Sequence, residues 1–82
     1  MIYFIEKRLK SGKVVLVANS DLDIEREIIP NALKYVNDIG YDMGVLLKGL
    51  RGIDITIFPH EKLKDTLERY REELYRYSGI EV

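Results

Sequence analysis

Hydrophobic residues recur at helical spacing in the C-terminal quarter of the chain. From His60 to Ser78 they occupy every third or fourth position, at Leu63, Leu67, Tyr70, Leu74 and Tyr77. This spacing forms one stripe of an α-helix, and most of the residues between its members are charged. Pro59 suits the first turn of such a helix and Gly79 suits its C-terminal cap. The pattern therefore predicts a helix over residues 60–78.

Four short stretches have the β-branched, aromatic and aliphatic content that favours strands. Residues 2–7 and 14–18 flank a predicted turn at residues 10–13, and residues 45–48 and 53–58 flank another at residues 49–52. Glycines in both turns supply the positive φ that tight turns require. The stretch 14–18 is apolar on both faces, which predicts a central strand.

A first helix is predicted from about Asp21 to Asp38, with Ser20 as its N-cap and Gly40 just past its end. Pro30 lies inside this segment. An interior proline removes a backbone donor and costs about 3 kcal/mol. We therefore expect either a kink at Pro30 or two short helices, the second beginning at Pro30.

The predicted order of elements is ββαββα, which indicates an α+β fold. We expect a four-stranded, mainly antiparallel sheet with two helices packed on one face. A chain of 82 residues has enough surface to bury for one core, so residues 1–82 are predicted to form a single domain.

The composition excludes several classes of protein. The chain has no cysteine, so it has no disulfide framework and no thiolate metal site. No apolar run approaches the ~20 residues of a membrane span, and the apolar start precedes its basic residues, unlike a signal peptide. These features predict a cytoplasmic protein that does not enter membranes. The abundance of Glu, Lys and Arg is similar to that of hyperthermophile proteins and predicts a thermostable chain.

Charge is unevenly distributed, although the net charge is only −1. Residues 1–18 contain four basic residues and one acidic residue, whereas residues 19–42 contain two basic and six acidic residues. A net charge near zero gives no whole-molecule field that would attract nucleic acid. Any charged ligand must therefore be bound by a local cluster.

The acidic cluster at the start of the first predicted helix comprises Asp21, Asp23, Glu25 and Glu27. Oxygen ligands alone favour Ca²⁺, and the (i, i+4) pair Asp21 and Glu25 falls close to the inner side of the helix. The cluster is not an EF-hand, because Arg26 and Ala32 occupy the positions that require glycine and glutamate. Acids in a first turn also stabilise a helix by ~0.3–1 kcal/mol each without any metal. Weak binding of a divalent cation is the first functional hypothesis.

Six basic residues gather near the two predicted turns: Lys7, Arg8, Lys10, Lys13, Lys48 and Arg51. Two basic hairpin tips on one edge of a sheet would bind phosphates, and Tyr3 and Phe58 in the adjoining strands could stack on bases. Lysines at strand edges and turns also hinder aggregation. A nucleic-acid-binding module is the alternative hypothesis.

The C-terminal helix suggests a third hypothesis. Its apolar stripe spans about 80°, closer to the width of a coiled-coil seam than to that of a helix docked on a core. The helix could pack on the sheet or mediate self-association into a homodimer, and Tyr75, off the stripe, would mark a second contact.

Catalysis has little support, because His60 is the only histidine and no serine has an evident basic partner. We therefore predict a binding domain without enzymatic activity.

Overall fold

The computed structural model describes residues 4–18, 23–48 and 54–79, with side chains as far as Arg76. In chain order the elements are β1 (Phe4–Arg8), β2 (Val14–Ala18), a π-helical turn (Ile24–Ile28), α1 (Ile29–Ile39), β3 (Val45–Lys48), β4 (Ile55–Ile57) and α2 (Leu63–Gly79). This arrangement is an α+β fold, and the order of strands and helices agrees with the prediction.

The sheet is mixed, with strand order β1-β2-β3-β4. Each hairpin, β1–β2 and β3–β4, is antiparallel, but the two central strands β2 and β3 pair in parallel. The prediction of a mainly antiparallel sheet is not confirmed at this central pairing. A parallel pair requires a crossover connection, usually a helix, and α1 supplies it.

The core lies between one face of the sheet and both helices. Alternate strand residues face it, and they pack with one side of α1 and with Tyr70 of α2. The most completely buried large side chains are Leu16, Ile29, Leu47, Ile57, Val36, Val45 and Thr66. The two helices therefore cover the same face of the sheet, as predicted.

The first helix is continuous across Pro30, so the alternative of two short helices is wrong. Ahead of the proline the backbone widens into a π-helical turn, in which the N–H groups of Ile28 and Ile29 donate to the carbonyls of Asp23 and Ile24, five residues earlier. Such turns appear where one residue is inserted into a helix. Pro30 falls in the first turn of α1, where its missing donor costs little. A kink is not confirmed.

The predicted C-terminal cap of this helix is confirmed, whereas its N-terminal cap differs from the prediction. Gly40 follows α1 as its left-handed C-cap, with φ of 89°. At the other end the N-cap is Asp23, whose carboxylate accepts hydrogen bonds from the backbone N–H groups of Glu25 and Arg26. The predicted cap, Ser20, and the first predicted helical residue, Asp21, lie outside the described residues.

The helix α2 begins at Leu63, three residues later than predicted, because Pro59 and His60 form a turn instead. The N–H of Glu61 donates to the carbonyl of Phe58 at 3.2 Å, and His60 takes a positive φ of 66°. From the predicted stripe, Tyr70 is buried, whereas Leu67 and Leu74 are half-buried against the core. Packing on the core thus accounts for these three members of the stripe but not for Leu63, which is 39% exposed; the Tyr77 side chain lies outside the described part.

Neither helix, over the residues that the structure describes, combines the length and the apolar character needed to cross a membrane.

Candidate functional site

Asp23, in the predicted cation site, is engaged in capping the helix. One of its carboxylate oxygens, Oδ1, accepts from the backbone N–H of Glu25 at 2.9 Å and from that of Arg26 at 3.1 Å. This arrangement satisfies two of the donors that a helix leaves unpaired at its start. Asp21 lies outside the described residues. Capping is therefore the role that the geometry assigns to Asp23.

Glu25 faces α2. Its Oε1 accepts from Nε of Arg71 at 2.6 Å, and this ion pair joins the π-helical turn to α2. A guanidinium thus already supplies the positive charge beside this carboxylate, while Glu27 is exposed. Among the described residues there is no group of three or more histidine or acidic side chains that could hold a metal ion. Cation binding at this end of the helix stays a prediction.

A Ca²⁺ titration followed by amide NMR tests this prediction. If Ca²⁺ binds, amides between residues 19 and 28 should shift at roughly millimolar concentration, as for weak oxygen sites. Arg71→Ala should strengthen binding severalfold, because it frees the carboxylate of Glu25 from its guanidinium partner. Arg76→Ala, which removes a guanidinium five residues further along α2, serves as the control. Unmoved amides in this segment in both the wild type and Arg71→Ala would contradict the hypothesis.

The first hairpin carries a cluster of cations that have no acidic partner among the described residues. We define the basic hairpin as residues 4–18, whose cations are Lys7, Arg8, Lys10 and Lys13. All four are exposed, and none forms a salt bridge with any residue that the structure describes. Among the other described cations, Lys34, Lys48, Arg69, Arg71 and Arg76 pair with acids, whereas Arg26, Lys62 and Lys64 form no salt bridge with a described residue. Positive charge is therefore concentrated and available at this hairpin.

The turn of the basic hairpin is closed by two backbone hydrogen bonds. The N–H of Leu9 donates to the carbonyl of Lys13 at 2.8 Å, and that of Gly12 donates to the carbonyl of Leu9 at 2.9 Å. Gly12 has φ of 90°, a conformation that side-chain-bearing residues rarely adopt. The turn thus holds Lys10 and Lys13 in a defined position beside the strand ends.

The second predicted group of cations lies elsewhere. Arg51 is outside the described residues, and Nζ of Lys48 lies 3.7 Å from the carboxylate of Asp54. Because β2 and β3 are parallel, Lys48 pairs with Val17 and lies at the opposite end of the sheet from Lys13. Lys48 and the cations of the first turn therefore do not lie together, and they do not form the predicted phosphate-binding pair of basic hairpin tips.

The sheet face opposite the helices carries the other candidate surface. We define this open face as the paired residues Ile5, Lys7, Val15, Val17, Leu46 and Thr56. Ile5 is 51% exposed and Lys7 is exposed, Val17, Leu46 and Thr56 are half-buried, and Val15 is buried. The basic hairpin forms one side of this face, so apolar side chains and exposed cations occur on the same surface.

Phe58 extends the open face beyond β4 and is 45% exposed. A Cβ at Gly44 would lie 2.8 Å from Thr56 Cγ2 and 3.0 Å from the Phe58 ring, so both side chains lie over the glycine. The guanidinium of Arg69 lies 4.8 Å from the centroid of that ring, a cation–π contact. Tyr3, the other predicted stacking residue, lies outside the described residues.

A polar network at the edge of the sheet was not predicted from the sequence. Arg69 donates to both carboxylate oxygens of Glu61, at 2.6 and 3.1 Å, and to the backbone carbonyl of Thr56 at 2.7 Å. The buried Thr66 hydroxyl also donates to Glu61, at 2.8 Å. The hydrogen bond from Arg69 holds the pKa of Glu61 below its usual value of 4.5, against the effect of burial. The only sequence signal was the (i, i+8) spacing of Glu61 and Arg69, which crosses a helix start.

Two further residues named above, Tyr75 of α2 and His60, are both exposed. Tyr75 is 80% exposed and lines the same surface of α2 as Arg71 and Arg76. Homodimer formation through α2 stays a prediction. His60 is exposed, and its backbone N–H donates to Oδ1 of Asn37 at 2.8 Å. This hydrogen bond fixes the turn before α2 onto α1.

Comparisons of the chain with protein-family models, with curated proteins and with solved structures found no match.

Proposed function

We propose that this domain is a non-catalytic binding module for single-stranded nucleic acid, held by the basic hairpin and the adjoining open face. The observation that carries the proposal is the set of four exposed cations on residues 4–18, unpaired with any described acid. Phosphate backbones bind to clustered Lys and Arg through counterion release. The acidic cluster has other partners, since Asp23 caps a helix and Glu25 pairs with Arg71.

The open face favours a single strand over a duplex. Its two exposed members are the aliphatic Ile5 and the cation Lys7, and Phe58 adds one aromatic ring at its far corner. Apolar and aromatic surface binds the faces of bases, which a duplex hides in its stack and a single strand exposes. The cations would hold the backbone while the sheet contacts the bases.

Protection of a strand edge does not account for all four cations. β1 is an edge strand, so Lys7 and Arg8 would hinder pairing with another chain. Lys10 and Lys13 lie in the turn and beyond it, where no edge needs protection. Binding of a polyanion explains both pairs of residues.

A triple substitution at the basic hairpin tests the proposal. Lys7, Lys10 and Lys13→Ala should weaken binding of a short mixed-sequence single strand at least tenfold, measured by fluorescence anisotropy at ~50 mM salt. The slope of log affinity against log salt should fall by about 2, since each phosphate contact on a single strand contributes about 0.7.

The matched control replaces Lys34, Lys62 and Lys64, which are exposed and lie on or just before the two helices. This variant has the same net charge as the hairpin variant and should retain most of the affinity and salt slope. Equal losses in the two variants, or absence of binding by the wild type at ~50 mM salt, would overturn the proposal. A hairpin variant that binds normally but aggregates would assign these lysines to edge protection instead.

A further inference from the structure

A cleft lies beside the turn of the basic hairpin, and no sequence hypothesis included it. It has a volume of about 320 Å³ and runs between that turn and the connection from α1 to β3, residues 40–44. This volume is at the lower end of the range for small-molecule sites. The cleft could therefore hold one small organic group.

The walls of the cleft are largely apolar. Val14 and Val45 are buried, whereas Met43 is 69% exposed. Tyr41 also lines the cleft; its hydroxyl is buried and has no hydrogen-bond partner among the described residues. The part of Tyr41 that faces the cleft is therefore its ring and not its hydroxyl. An aromatic residue and a polarizable thioether in the same cleft suit a flat ring.

Charges of both signs surround these walls. Arg8 and Lys13 line the cleft and pair with no described acid; Asp42 lines it too, exposed and without a salt bridge to any described cation. If only cations surrounded the cleft, a simple anion would match its charge. A carboxylate beside them calls for a ligand that also offers N–H donors.

We propose that this cleft binds one nucleotide of the strand and favours guanine. The base would lie against Tyr41 and Met43, with its phosphate near Arg8 and Lys13. Guanine presents two adjacent donors, N1–H and the N2 amino group, to the carboxylate of Asp42. Uracil presents a single ring N–H, and adenine and cytosine a single amino group. This inference rests on the proposed function and adds a base preference to it.

Titrations of the full chain with mononucleotides, followed by amide NMR, test the inference. Guanosine monophosphate should shift the amides of residues 11–13 and 41–45 at about fivefold lower concentration than uridine monophosphate, because one more charge-assisted hydrogen bond forms. Inorganic phosphate should shift residues 11–13 only. Asp42→Asn should remove most of the preference for guanine, whereas Asp65→Asn, the same change on the first turn of α2, should leave it intact.

Equal shifts by the two nucleotides, or a guanine preference that persists in Asp42→Asn, would overturn the inference. Amides of residues 41–45 that stay unmoved by either nucleotide would do so as well. If the wild type still binds the oligonucleotide and the hairpin variant does not, only the proposal that the cleft binds a nucleotide is overturned. If neither the guanine preference nor the effect of the hairpin variant on oligonucleotide binding is observed, the proposed function itself is overturned.

Discussion

Leu16→Ala is expected to lower the free energy of unfolding by about 3 kcal/mol, measured by urea denaturation. Leu16 is fully buried at the centre of β2, between the sheet neighbours and the helices. Truncation removes apolar contacts and leaves a cavity, because the surrounding strands and helices can relax only partly to fill it. A domain of this size has roughly 4–12 kcal/mol of stability, so the melting temperature should fall by about 15 °C.

Ile5→Ala is the matched comparison on the other face of the sheet. Ile5 pairs with Val17, the residue that follows Leu16, but it is 51% exposed on the open face. Its truncation should cost less than about 1 kcal/mol. Equal losses in the two variants would show that both faces of the sheet are covered in solution, contrary to the structure.

Arg69→Met is the second substitution with a large expected effect, a loss of about 2 kcal/mol of unfolding free energy. Methionine retains an apolar stem beside Phe58, but it removes the donors to Glu61 and to the Thr56 carbonyl. The Glu61 side chain is only 19% exposed, so its charge would lose its main partner. Arg76→Met, which removes an exposed pair with Glu73, should cost under about 0.5 kcal/mol.

The pH dependence of this effect has a definite sign. Arg69 lowers the pKa of Glu61 in the folded chain, so the contribution of the pair is fully present above the usual value of 4.5. It is lost as the pH falls through the lowered pKa of the folded state. The stability difference between the wild type and Arg69→Met should therefore narrow below pH 4.5. A difference that stays constant down to pH 2 would show that Glu61 contributes nothing to it.

Much of the secondary structure could be predicted because its signals are local. The strand Val14–Ala18 and the strand Val45–Lys48 have the predicted bounds, and Gly40 ends the first helix as expected. Hydrophobic periodicity and glycine conformation need no knowledge of distant residues. The start of α2 was misplaced because Pro59 suits both a first helical turn and the tight turn that it actually forms.

The candidate surfaces could be predicted only in part, because they depend on the direction of strand pairing. The free cations of the first hairpin were identified from charge alone. The residues beside these cations could not be identified from the sequence. An antiparallel β2–β3 pairing would have placed Lys48 near the first turn, whereas the parallel pairing places residues 41–45 there. Similarly, helix periodicity placed Glu25 on the inner side, but only the packing of α2 shows that Arg71 meets it.

The parallel pairing of β2 with β3 also determines the order in which the chain can fold. Each hairpin joins strands that are near neighbours in sequence, so both can close within microseconds. Val15 and Leu46, by contrast, lie far apart in sequence with α1 between them, and bringing them together costs more entropy than closing a hairpin turn. The rate-limiting step should therefore be the joining of two preformed hairpins around α1, with substitutions in β2, α1 and β3 slowing folding and those in β1 mainly accelerating unfolding.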